Sequence, residues 1–284
     1  MLKIKNKKTK TFKLSLIRSI HYQREKKLLK SYGTDMYDKW YMNPYSYIKA
    51  IYMLETSALI VFFAQFTKIS PNHISGVYIS LGLLSGLFLA SNNDTLIFLS
   101  LIMLFTKMSF DAADGLLARI QNKTSNLGDL LDNWGGFVGS YSFLCGFGFY
   151  LYHRENNFLF IILAILIVIV KAIDLKDYSY HLAMYKLFKS KKKNEIIKKL
   201  NMKNSNMFSK NISNYLTKIK NFVQNFVNDR SRTIDTIILL IFIDNYYFDV
   251  NLLNYIYYYL FLKSVLIFIG GIYITYYKNY LFKK

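Results

Sequence analysis

The chain has one cysteine, Cys145, and only four histidines in 284 residues. A single thiol cannot close an internal disulfide, and one buried in an apolar run offers no redox pair. No Cys/His cluster is present to hold zinc or another soft metal. Acidic residues are also scarce, 17 against 37 Lys and Arg, leaving a formal net charge of +20. The Lys-rich start lacks the short apolar core and small-residue cleavage site of a secretory leader, so no cleaved signal peptide is expected. Positive charge invites a nucleic-acid reading. Lys, Asn, Ile, Tyr and Phe are all abundant, however, as A+T-rich codon usage alone would produce, and no nucleic-acid partner is expected.

What is present is apolar surface: 53% of the residues are hydrophobic and 18% aromatic. High apolarity and high charge coexist only when segregated along the chain. Apolar runs of about 17–24 residues alternate with Lys-rich stretches, the pattern of a polytopic membrane protein. The fold expected is all-α and integral to a membrane.

Residues 1–44 read as a basic cytoplasmic arm, with Tyr37, Trp40, Tyr41 and Tyr45 suited to lipid headgroups; a solvated tail is the alternative for residues 1–25. Residues 45–70 are apolar but interrupted by Lys49, Glu55 and Gln65. A span here would make the span count odd and put one basic terminus outside, so a juxtamembrane helix lying in the interface is expected. Residues 71–277 then hold six spans, at 72–90, 96–118, 127–152, 157–173, 233–247 and 252–276. The turn at 91–95 has no Lys or Arg, whereas residues 171–232 hold fifteen. A basic cytoplasmic insertion at 176–230 and a basic tail at 278–284 follow, with both termini cytoplasmic. Inside the insertion, apolar residues from Ile212 to Val227 recur at helical spacing, as in a surface helix.

The chemistry concentrates between Asp111 and Asp132, DAADGLLARIQNKTSNLGDLLD. Asp111 and Asp114 share a helical face, and Gly115 and Ala118 beside it leave room for a bulky ligand. Gly128 and Asp132 share a face of the next helix, so a third carboxylate can meet the first two. Carboxylates at a membrane edge are costly unless something cationic holds them. Three oxygen ligands, Asp111, Asp114 and Asp132, suit a hard cation such as Mg²⁺ or Mn²⁺. Lys107 stands four residues before Asp111, where a structural ion pair is the plainer reading and a functional one the alternative.

The string DxxDGxxAR, eight residues, then GxxxD resembles the signature of the CDP-alcohol phosphotransferases, membrane enzymes that cleave a CDP-alcohol and join its phosphate to a second alcohol. Asp111, Asp114, Gly115, Ala118, Arg119, Gly128 and Asp132 are all in register. The resemblance implies release of CMP, a CDP-alcohol donor and an alcohol acceptor of which one is lipidic, an active site on the cytoplasmic face, and a homodimer. Such a reaction belongs to phospholipid or related glycoconjugate biosynthesis. It also implies that Arg119 and Ser125 contact the donor; an inner-side charge anchor is the alternative for Arg119. Pro71, Asn72, His73, Ile74 and Ser75 resemble the family's PNxIT string, which lines the nucleotide-lipid pocket. Asn72 and Ser75 are thereby donor contacts, with helix capping as the alternative, and His73 reads as an interfacial side chain. Arg230 and Arg232 match a basic pocket for a phosphorylated acceptor, or plain anchoring. The family's fourth Asp, its general base, is here Gly136. Asp129 shares that face but lies about 10 Å back along the helix. A base is worth roughly 10²–10⁴-fold, so the alternative is an impaired member that binds nucleotide and lipid. A transporter or channel is disfavoured, because the acidic cluster lies at one membrane face and the other spans carry few internal charges.

Overall fold

The computed structural model describes residues 12–31, 44–173 and 230–278, and every regular element among them is helical. In chain order these are α1 (Leu14–Ser31), α2 (Pro44–Ala64), α3 (Pro71–Leu89), α4 (Asp94–Ile120), α5 (Asn126–Glu155), α6 (Leu159–Ala172), α7 (Arg230–Tyr246) and α8 (Leu252–Lys278). Each stretch expected to span is helical, as α3–α8 in chain order. Four stretches are long and apolar enough to cross a membrane: α2, α3, α4 and Leu252–Gly270 of α8; α6 is apolar but has only 14 residues. The chain is an integral membrane protein by this apolar content. The aromatics at 37, 40 and 41, the Ile212–Val227 pattern, most of the 176–230 insertion, the side chains of Arg230 and Arg232, and most of the 278–284 tail lie outside the described residues.

Two helices depart from expectation. α1 occupies residues assigned to a basic arm, yet Ile17 is fully buried and His21 nearly so. α2 meets the length and composition of a span where an interfacial helix was expected. Two of the polar residues that argued against a span, Glu55 and Gln65, are taken up by α1 and the turn before it. Glu55 accepts hydrogen bonds from Arg18 and, at 2.9 Å, from the Tyr22 hydroxyl. Gln65 clasps the Phe12 backbone, accepting from its N–H at 2.7 Å and donating to its carbonyl at 2.9 Å. Satisfied internally, these groups no longer need water.

The described residues fall into two compact units, with α3, α4 and α5 divided between them along their length. The first comprises residues 1–85 and 102–142. Its core joins Ile17 of α1, Ala58, Val61 and Ala64 of α2, Ile74 of α3, and Ala113, Leu116 and Leu117 of α4. Small residues let helices approach: a Cβ on Gly82 would stand 2.9 Å from the Gly139 Cα, too close for any side chain there. Ser142 donates to the Leu83 carbonyl at 2.8 Å, tying the same two helices.

The second unit, residues 86–101 and 143–284, is built on Phe147, Phe160, Ile167, Ile237, Ile241, Leu253 and Tyr257. Gly148 leaves room for Tyr257, whose hydroxyl donates to the Leu144 carbonyl at 3.1 Å. Asp244 is a buried carboxylate with three donors: Tyr150 Oη at 2.6 Å, the Val250 N–H at 2.5 Å and Arg154 Nη1 at 2.9 Å. Arg154, near the end of α5, is thus an ion-pair partner of Asp244.

Candidate functional site

The site is built on the starts of α3 and α5 and the end of α4, all within the first unit. Pro71 occupies the first turn of α3, where its missing N–H costs nothing. Ser70 precedes it, and its N–H donates back to His73 Nδ1 at 3.1 Å, closing the helix start. His73 is therefore a capping group. α4 ends immediately after Arg119. Asn122 takes a left-handed conformation (φ 53), Lys123 N–H bonds the Ala118 carbonyl at 2.8 Å and Asn122 N–H the Arg119 carbonyl. This Schellman-type end satisfies the last carbonyls of α4 before the polar link to α5. Ser125 then caps α5, its Oγ accepting from the Gly128 N–H at 3.1 Å.

Three of the expected donor contacts converge. A Cβ on Gly128 would lie 3.4 Å from Ser125 Oγ and 3.7 Å from Asn72 Oδ1, so these residues border one spot. Ser75 is not a cap: it is buried and donates to Asp114 Oδ2 at 2.5 Å. The bare Cα of Gly115 accommodates the Arg119 guanidinium, whose Nη1 would stand 3.1 Å from a Cβ there. The room beside the acidic face is thus filled by this chain's own arginine. Among the described residues Arg119 Nε is buried without a hydrogen-bond partner, and Ala118, half-buried, adjoins it. A buried guanidinium N–H with spare capacity suits an anion.

The carboxylates are only partly gathered. Asp111 and Asp132 face one another across α4 and α5 closely enough to interact electrostatically, while Asp114 is held by Ser75. As the side chains stand, no group of three His, Cys, Asp or Glu among the described residues is close enough to hold a metal ion. The spacing of Asp111 and Asp114 put both on one face, and Ser75 draws one of them aside. Two features nevertheless suit a divalent cation. Among the described residues Asp111 Oδ1 is buried without a hydrogen-bond partner, and two neighbouring carboxylates repel unless a proton or cation lies between them. The donor set is all oxygen, as Mg²⁺ and Mn²⁺ prefer. Lys107 is buried and within electrostatic range of Asp111, but it makes no ion pair among the described residues.

Sequence reasoning did not find α1 at this site. His21, Arg24 and Glu25 all lie within electrostatic range of Arg119. His21 Nδ1 is 3.2 Å from Ser57 Oγ. Burial, with Arg119 and Arg24 nearby, depresses the His21 imidazole to about 4. Arg24-Glu25 beside an otherwise apolar 3.6-residue pattern carried no signal that would assign them here.

A family model described as CDP-alcohol phosphatidyltransferase matches residues 68–228, more than half of the chain. The inner membrane protein YnbA of Escherichia coli (strain K12) is 33% identical over 103 residues, 36% of this chain. The chain spans about half the length of that curated relative, 50% of which is matched. Together with the acidic motif in register on α4 and α5, this match shows that the chain belongs to the CDP-alcohol phosphatidyltransferase family, whose members are in general transferases.

Proposed function

We propose that the chain transfers a substituted phosphate from a CDP-alcohol to an acceptor alcohol with release of CMP. The observation that carries this reading is the meeting of Asp111 and Asp132 across two helices beside an arginine with an unused N–H. In the reaction the acceptor oxygen bonds to the β-phosphorus. The anhydride bond breaks, CMP leaves with the bridging oxygen and its electron pair, and the hydroxyl proton passes to water.

Each residue has a part in that scheme. Asn72, Ser125 and Gly128 border the spot where the donor nucleotide sits, and Arg119 binds its phosphates. Ser75 fixes Asp114 by its hydrogen bond. Asp111 and Asp132, with Asp114, would hold Mg²⁺ or Mn²⁺. Such a cation supplies neutralisation of the negative charge on the pyrophosphate. In the membrane, α3–α8 form six crossings with the acidic motif and both termini on the Lys-rich cytoplasmic side, and the protein works as a homodimer. The domains proposed are residues 1–44, 45–70, 71–277 with the 176–230 insertion, and 278–284. The reaction serves phospholipid or glycoconjugate synthesis.

Gly136, which leaves the motif without a fourth carboxylate, favours a second reading: a membrane protein that binds nucleotide and lipid without turnover. One experiment separates the two. Purified protein in nanodiscs is offered CDP-diacylglycerol with glycerol 3-phosphate or inositol, and CDP-choline with diacylglycerol, with Mg²⁺ or chelator. The transferase reading requires CMP and a new phosphodiester in the wild type, lost in Asp132→Asn. Activity appearing only in Gly136→Asp establishes the binding reading.

A further inference from the structure

The face of α5 that carries Gly136 is bare for more than one turn, since Gly135, Gly136 and Gly139 all lie on it. Three side chains border the space. A Cβ on Gly135 would collide with the Tyr78 ring of α3 and come within 2.9 Å of Ile79 Cγ1, and one on Gly139 would overlap Lys107 Nζ of α4. At Gly136 the clearance is larger, 3.8 Å, and the atom facing the empty position is Tyr78 Oη. The phenol oxygen therefore stands where a side chain at 136 would project.

Both groups are almost wholly buried, Tyr78 at 4% and Lys107 at 7% exposure. The ammonium lies 5.4 Å from the Tyr78 ring centroid, a cation–π distance. Tyr78 is within electrostatic range of Asp111, Asp132 and Asp114, and Lys107 of Asp111. Among the described residues neither polar end makes a hydrogen bond or an ion pair. Both side chains are thus packed into the protein while their polar ends keep unused hydrogen-bonding capacity. Here they converge beside the acidic motif, in a space that three glycines leave open.

We propose that Tyr78 and Lys107 form the subsite for the acceptor alcohol, doing in this chain what a side chain at position 136 cannot. The assignment rests on the transferase reading above. Tyr78 Oη accepts a hydrogen bond from the attacking hydroxyl, and Lys107, a donor only, binds a lone pair of that oxygen or of a neighbouring one. Both are positioning residues: they aim the oxygen at phosphorus and take no part in bond making. The ligand class is an alcohol, and Lys107 favours one bearing a further oxygen.

The test uses the full chain in nanodiscs with the donor and acceptor pair that releases most CMP in the panel above. Tyr78→Phe removes one oxygen atom. It should raise the acceptor KM by about 3–10-fold, the value of one neutral hydrogen bond, and leave the donor KM unchanged. Gly136→Asp added to Tyr78→Phe should restore the acceptor KM, because its carboxylate enters the space the phenol oxygen leaves. Lys107→Met gives an independent reading, with the same selective rise in acceptor KM. An unchanged acceptor KM in both variants, or donor and acceptor KM rising together with a lowered melting temperature, overturns the subsite. A wild type that releases no CMP with any pair overturns the transferase reading instead, and the subsite with it.

Discussion

Lowering the pH should undock α1 from the first unit. His21 is buried against Ser57 on α2, with Arg119 and Arg24 nearby, and its imidazole titrates at about 4 rather than at 6.5. Because the docked state refuses a proton that the undocked state accepts, docking is full above pH 6.5 and weakens as pH falls through 6.5 towards 4. Below that window both states are protonated and the loss levels off. With those two values, going from pH 7 to pH 5 costs about 2 kcal/mol, close to a 20-fold shift in the docking equilibrium. The assay is hydrogen exchange of the α1 amides in nanodiscs, wild type against His21→Gln, which has no titrating group. The wild type should lose protection between pH 7 and pH 5, after correction for intrinsic exchange, and the variant should not. Parallel profiles in the two proteins would refute the argument that burial keeps this histidine neutral.

Gly82→Ala places a methyl 2.9 Å from the Gly139 Cα, a backbone atom that cannot swing aside; overpacking of this kind costs about 1–3 kcal/mol, read as a lower melting temperature. Asp244→Asn weakens a carboxylate that Arg154, Tyr150 and Val250 all bind. Arg154 keeps Glu155 at 3.5 Å, so loss of the Asp244 charge should cost about 1.5–3 kcal/mol, the value of a hydrogen bond to a charged group, again measured by thermal melting, whereas Tyr150→Phe, which removes one hydrogen bond, should cost about 1 kcal/mol. Ser75→Ala frees Asp114 from its hydrogen bond; if Ser75 serves to orient that carboxylate, CMP release should fall by about 10-fold or more, with the melting temperature little changed.

The helices were legible because apolar runs and their breaks are written into composition: α3 begins at Pro71 and α4 stops just past Arg119, each within a few residues of expectation. The acidic motif was legible from spacing alone. α1 was hidden, since its Lys and Arg content reads as a solvated arm and its docking depends on a few residues, Ile17 and His21, facing α2. The partners of α2 were hidden for the same reason: Glu55 and Gln65 look like obstacles to burial until Arg18, Tyr22 and Phe12 are seen to satisfy them. Spacing showed that Asp114 shares a face with Asp111. It could not show that Ser75, 39 positions away, would hold it. Nor could it show that the gap at Gly136 faces a tyrosine from α3, because that contact is purely tertiary.

The central claim is that Asp111 and Asp132 share a divalent cation. Electron paramagnetic resonance of Mn²⁺ titrated into the protein in nanodiscs, without nucleotide, tests it directly. The account predicts bound Mn²⁺ in the wild type and binding weakened by more than about tenfold in Asp111→Asn and in Asp132→Asn. Equal Mn²⁺ binding by the wild type and the double variant, or none by the wild type with or without a CDP-alcohol, would contradict it.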